Sequence, residues 1–125
     1  MLIEQIPEND HLYRRVHHKC YDPISGKCTE GAFLLKLDRQ EQYLSVDWAE
    51  RTTLEVSCLD PNTKKKFKIA EIRAGYPREL GLTVEHKPSL KHIAHAGILG
   101  KALHDDVQRI IIASQLAEKS IVRSS

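Results

Sequence analysis

Apolar and polar positions alternate with a period of two through much of the chain up to about residue 86, and the pattern then changes to helical spacing near the C-terminus. Leu12-Tyr-Arg-Arg-Val-His17 predicts a first strand, with Leu12 and Val16 on one face and Tyr13, Arg15 and His17 on the other. Arg14 falls on the apolar face, as either an edge residue or a buried, partnered arginine. Asp22-Pro-Ile-Ser-Gly26 is a turn signal, because proline presets φ and glycine tolerates positive φ. Ala32 to Leu37 and Tyr43 to Ala49 predict further strands. In the second, Leu44, Val46 and Trp48 face inward while Ser45 and Asp47 face out.

Thr53 to Leu59 alternates cleanly, Asp60-Pro-Asn-Thr63 fits a type I turn, and Lys66 to Ile72 would return as the partner strand of a hairpin. Tyr76 to Gly81 predicts one helical turn closed by glycine, followed by a short strand from Leu82 to His86. Leu103, Val107, Ile110 and Ile111 then recur at helical spacing, and Ile112 and Leu116 widen the stripe. Asp105 and Asp106 precede Lys119 and Arg123, the charge order that a helix dipole favours. Together these elements predict an α+β fold, a small mainly antiparallel sheet with a C-terminal amphipathic helix packed on it, in a single domain over residues 1–125.

Composition narrows the class of function. With 41% hydrophobic and 29% charged residues, an ordinary folded chain is expected rather than a disordered one. The net charge is +2 and the cations are scattered, with one dense run at Lys64-Lys-Lys-Phe-Lys68. Nucleic-acid binding is compatible with this balance but not demanded by it. No apolar run approaches the ~20 residues that span a bilayer. The opening residues lack the basic and apolar regions of an export signal. Three cysteines, Cys20, Cys28 and Cys58, are then expected as reduced thiols in the cytoplasm.

Four clusters could carry chemistry. His86, His92 and His95 lie within ten residues, and a helix capped by Ser89 would put His92 and His95 on one face. Three imidazoles with an open position would suit zinc or iron, although histidines also serve as satisfied boundary residues. His17, His18, Cys20 and Cys28 offer thiolates and imidazoles, but lack the paired short spacings of a structural zinc site. Tyr13, Arg14 and Arg15 with Ser45 and Asp47 could bind phosphate or carboxylate, since arginine forks are bidentate; a solvated sheet face is the plainer account. Arg73 and Arg78 bracket a glycine at a strand-to-helix junction and could favour an anion. No phosphate loop, dinucleotide fingerprint or nucleophile elbow is present, and no cofactor is demanded.

Leu12-Tyr-Arg-Arg-Val16, Leu44-Ser-Val-Asp47 and His95-Ala-Gly-Ile98, in this order, resemble a pattern in short, uncharacterised bacterial proteins. That resemblance spans about residues 12 to 100 and implies no catalytic residues. A fainter likeness is to ADP-ribosyltransferase-type folds, through Tyr13-Arg14 and Ser45, which would line a nicotinamide-nucleotide cleft; the late glutamate of that pattern has no clear counterpart. The expectation is a small binding or accessory domain that acts through a polar site or a protein partner, homodimerisation through the C-terminal helix included. The alternative is a small enzyme acting on a nucleotide or nucleic-acid phosphate. Arg14 and Arg15 would clamp the anion, and Asp47 or His95 would handle protons.

Overall fold

The computed structural model describes residues 2–125. Six strands form an antiparallel sheet: β1 (His11–Val16), β4 (Leu44–Trp48), β5 (Lys68–Arg73), β6 (Thr83–His86), β7 (His95–Leu99) and β8 (Ile121–Arg123). Their spatial order is β6-β7-β4-β1-β5-β8. A small hairpin, β2 (Tyr21–Asp22) with β3 (Lys27–Cys28), closes over the expected turn, where Asp22 accepts the Ile24 amide. Three helices complete the fold: α1 (Leu54–Ser57), α2 (Gly75–Glu79) and α3 (Gln108–Lys119). The fold class is α+β, as the alternation predicts.

One face of the sheet is the core. Leu12, Val16, Leu44, Val46, Trp48, Ile72 and Ile98 are buried there with Phe33, under α3 and a 3₁₀ turn at Glu30–Phe33. The opposite face carries Tyr13, Arg15, Ser45, Asp47 and His95, and the segment from α1 to β5 lies across part of it, where Arg15 bonds the Ser57 and Leu59 carbonyls.

Five local expectations are corrected. Ala32 to Leu37 is not a strand: a 3₁₀ turn at Glu30–Phe33 and another at Leu37–Arg39 bracket extended backbone, and Ala32, Phe33 and Leu35 plug the core without joining the sheet. Thr53 to Leu59 is not a strand either. The Thr53 hydroxyl accepts the Val56 amide and starts α1, an N-cap that outweighs the alternation. The turn at Asp60–Thr63 does close, but onto a single Leu59–Lys66 bridge, so β5 pairs with β1 and β8 instead. Lys64 adopts φ +61° in that turn.

No helix follows Ser89. Residues 87–94 form the tip of a β6–β7 hairpin, in which Ser89 and His92 exchange both backbone bonds. The one-turn helix before Gly81 and the strand after it form as expected, with Gly81 at φ +86°. The last correction concerns α3. Asp105 accepts the Val107 and Gln108 amides at its start, but the buried side is Ile112, Ala113, Leu116 and Ala117. Val107, Ile110 and Ile111 point outward, 67%, 48% and 54% exposed, and only Leu103, Ile112 and Leu116 of the anticipated stripe reach the core. Among the described residues no helix is long and apolar enough to cross a membrane.

Candidate functional site

The register of three neighbouring strands builds the site. Tyr13 on β1 sits opposite Asp47 on β4, and Asp47 sits opposite His95 on β7, so the three side chains share the outer face. The hairpin tip returns His92 to the same place, with its Nε2 2.9 Å from Asp47 Oδ1. Around this pair is a cavity of about 240 Å3, lined by Tyr13, Arg14, Arg15, Ser45, Val46, Asp47, His92 and His95.

Asp47 is only 7% exposed, against the outward, solvated position that alternation assigned to it. Its burial is tolerable because both carboxylate oxygens are engaged: Oδ1 by His92 and Oδ2 by the Ser57 hydroxyl at 2.6 Å. His95 is held in turn by the Tyr43 hydroxyl, 3.1 Å from its Nε2. Burial and the neighbouring His92 keep the His95 imidazole below its ordinary pKa, while Asp47 pulls it the other way. Gly97 explains how Tyr43 arrives there. A Cβ at Gly97 would stand 2.6 Å from the Tyr43 ring, so the ring lies directly on the β7 backbone.

One ligand atom from each of Asp47, His92 and His95 lies within 4.8 Å of the others, the single such group of three or more His, Cys, Asp or Glu found among the described residues. Two imidazoles and a carboxylate suit zinc, and form the triad of non-haem iron sites as well. The 2.9 Å between His92 Nε2 and Asp47 Oδ1 is an ion-pair distance, and a bound ion would replace that contact. Ser57 and Tyr43 are the outer partners that such a centre needs, fixing carboxylate and ring orientation.

The structure distributes the other candidates elsewhere. His86 does not complete a three-imidazole site. It is buried, its Nδ1 accepts the Glu4 amide and its Nε2 donates to the Ile93 carbonyl, so both ring nitrogens are spent on backbone. Arg14 is the buried, partnered arginine, donating to the Ala32 and Ser45 carbonyls from the core side. Desolvation by burial lowers its pKa. Two of its guanidinium nitrogens are thereby engaged by backbone, and Arg14 still lines the central cavity beside Tyr13 and Arg15. Tyr13 does face the site, its phenol pKa raised by burial and then by Glu71. Ser45 is exposed on the rim.

Arg73 pairs with Glu79, and Arg78 reaches the Val84 carbonyl, so neither joins this face. Cys20 and Cys28 are free thiols; Cys28 contacts the Ser120 hydroxyl and burial pushes its pKa up, while His17 and His18 stack on each other in solvent. The residues that sequence reasoning missed are Ser57, Tyr43 and the role of Gly97. Only the capping Thr53 marked the helix that delivers Ser57.

Compared with known family models, curated proteins and solved structures, the chain matches none.

Proposed function

We propose that Asp47, His92 and His95 hold a divalent metal ion of the zinc class, and that the protein hydrolyses a phosphate ester bound beside it. The observation that carries this reading is convergence: three ligating side chains from β4, the hairpin tip and β7 meet in one cavity, with Asp47 secured by Ser57 and His95 by Tyr43. An ion so placed would bring the pKa of a bound water to about 7 and polarise a phosphoryl oxygen.

The chain's own residues supply the rest. Arg15 is oriented by two backbone carbonyls, at 2.7 Å from Nε and 3.2 Å from Nη2, which leaves guanidinium donors for an anion at the cavity wall. Tyr13 and Ser45 add hydroxyls on the same wall. In hydrolysis the water oxygen forms the new bond to phosphorus, the ester P–O bond breaks, and the departing oxygen takes a proton. Tyr13, whose hydroxyl lines the same cavity without being a ligand, is the group placed to pass that proton on from the attacking water.

The test is metal content by native mass spectrometry after zinc reconstitution, with turnover of p-nitrophenyl phosphate and its bis-ester. One ion per chain, lost in Asp47→Ala and His95→Ala, with zinc-dependent turnover, is the expected result. No uptake overturns the proposal. Uptake without turnover reduces it to a binding module acting through the same polar site. A protein partner or a second copy docked on α3 is a separate proposal, and it rests on the exposed Val107, Ile110 and Ile111.

A further inference from the structure

We propose that the substrate is single-stranded nucleic acid, laid along a basic strip that runs from the metal centre past Arg15, Lys91 and Lys64 to a hollow beside Lys65. This rests on the metal reading only for where the scissile phosphate sits; the strip itself is independent of it.

One hollow continues from the central cavity, and a second lies along the 60–68 loop. The first, about 250 Å3, shares Arg15, Asp47 and His92 with it and adds Lys64 and Lys91 over an apolar floor of Val56, Leu59 and Pro61. Val56 and Leu59 are 64% and 40% exposed, apolar surface left open beside cations. The second, about 200 Å3, sets Lys65 and Lys66 beside His18, Tyr21 and Phe67. Lys64 lines the first hollow and its neighbour Lys65 the second, so the 60–68 loop is what links them.

Its charge is one-sided. Besides Asp47, the acid in this lining is Asp60, whose carboxylate is occupied by the Asn62 and Thr63 amides. His17 senses the field: after desolvation, its pKa is lowered by His18, Lys65, Lys19 and Lys36. Lys66 and Lys68 are bonded to Ser125 and Ser124, which leaves Arg15, Lys64, Lys65 and Lys91 as the cations best placed to meet phosphates.

The alternation of cations with apolar and aromatic surface selects the ligand. Unpaired bases can lie on Val56, Leu59 and Pro61 or stack on Tyr21 and Phe67 while the phosphates meet the lysines. A duplex hides its base faces and would use the cations alone. A net charge of +2 concealed this, because the cations come from β1, the 60–68 loop and the β6–β7 tip and converge only in the fold.

The experiment is fluorescence anisotropy of a labelled 15-mer oligonucleotide with metal-free protein, so that loss of metal binding cannot masquerade as loss of the strip. Single strands are expected to bind with an affinity that falls roughly 50-fold between about 50 and 200 mM salt, the slope of about −0.7 per contact over about four phosphate contacts. A blunt duplex of the same length should bind on the order of tenfold more weakly, for want of base stacking. Lys64→Asn with Lys91→Gln should weaken the single strand by on the order of tenfold and flatten the salt slope. Asparagine tolerates the left-handed backbone at 64, so the fold is retained. Lys101→Gln, far from the strip, should change nothing, and His95→Ala should lose metal but keep the oligonucleotide. Equal affinity for duplex, no salt dependence, or an undiminished double variant overturns the inference. Failure of the parent protein to take up metal, with oligonucleotide binding intact, overturns only the metal reading.

Discussion

Asp47 and His92 face one another at 2.9 Å although 45 positions separate them, and the far oxygen of the same carboxylate takes the Ser57 hydroxyl at 2.6 Å. A buried carboxylate with both oxygens engaged is a fixed point from which a site can be built. Removing it should therefore be felt twice. Asp47→Ala is expected to abolish metal uptake and to cost about 1–3 kcal/mol in urea unfolding, because the buried Ser57 hydroxyl loses its acceptor. Full metal occupancy in that variant would exclude Asp47 as a ligand.

The three clustered histidines should separate by phenotype. His86→Ala strips partners from the Glu4 amide and the Ile93 carbonyl and is expected to destabilise by about 2 kcal/mol or more, with metal stoichiometry unchanged in the folded fraction. His95→Ala should do the reverse, losing the ion with little effect on the denaturation midpoint, whereas His92→Ala should lose the ion and also cost about 1–3 kcal/mol, because Asp47 Oδ1 is left without its partner. Native mass spectra alongside urea curves distinguish the patterns.

Gly97→Ala tests a positioning role. The added methyl would meet the Tyr43 ring at 2.6 Å and push its hydroxyl off His95. Weaker zinc affinity, by about 10–100-fold as for lost outer partners, is expected in both Gly97→Ala and Tyr43→Phe. If Tyr43→Phe binds zinc as the parent does, the Tyr43 hydroxyl does not orient His95.

The orientation of α3 has its own check. Ile112→Ala and Leu116→Ala should each cost about 2–5 kcal/mol, whereas Ile110→Ser and Ile111→Ser should stay within roughly 0.5 kcal/mol. Sedimentation of the Ile110→Ser/Ile111→Ser double variant also tests self-association: a parent that sediments as a dimer and a variant that does not would place a second copy on this face.

Acid should weaken the fold through two turns. Backbone amides and the Ser25 or Thr63 hydroxyl hold the Asp22 and Asp60 carboxyls below their ordinary 3.8. A depressed folded-state pKa contributes stability that is fully present above the unfolded value and disappears as pH falls through the folded one. The urea midpoint should therefore decline below about pH 4, and Asp22→Asn with Asp60→Asn should flatten that decline. An unchanged acid limb in the double variant would assign the loss to other carboxylates.

Much of the architecture is legible in residue order. Alternation over 12–17 and 43–49 marks the central strands, Asp60-Pro-Asn-Thr63 marks a turn, and Gly81 marks a helix end, because each is a local preference that the fold leaves unopposed. Where two local signals compete, order alone does not arbitrate. Thr53 to Leu59 alternates like a strand and is capped like a helix, and it becomes a helix because β1 already has its neighbours in β4 and β5. Likewise α3 is apolar on more sides than one, and which side is buried depends on what packs against it. The site follows the same division. Residue order supplies His92, His95, Arg15 and Asp47 as polar groups with chemistry to offer. Strand register, with the packing of α1 and the hairpin tip, brings them together with Ser57 and Tyr43 and turns Arg14 and His86 to backbone partners, since contacts between residues distant in sequence are decided by how elements pair and pack rather than by any local preference.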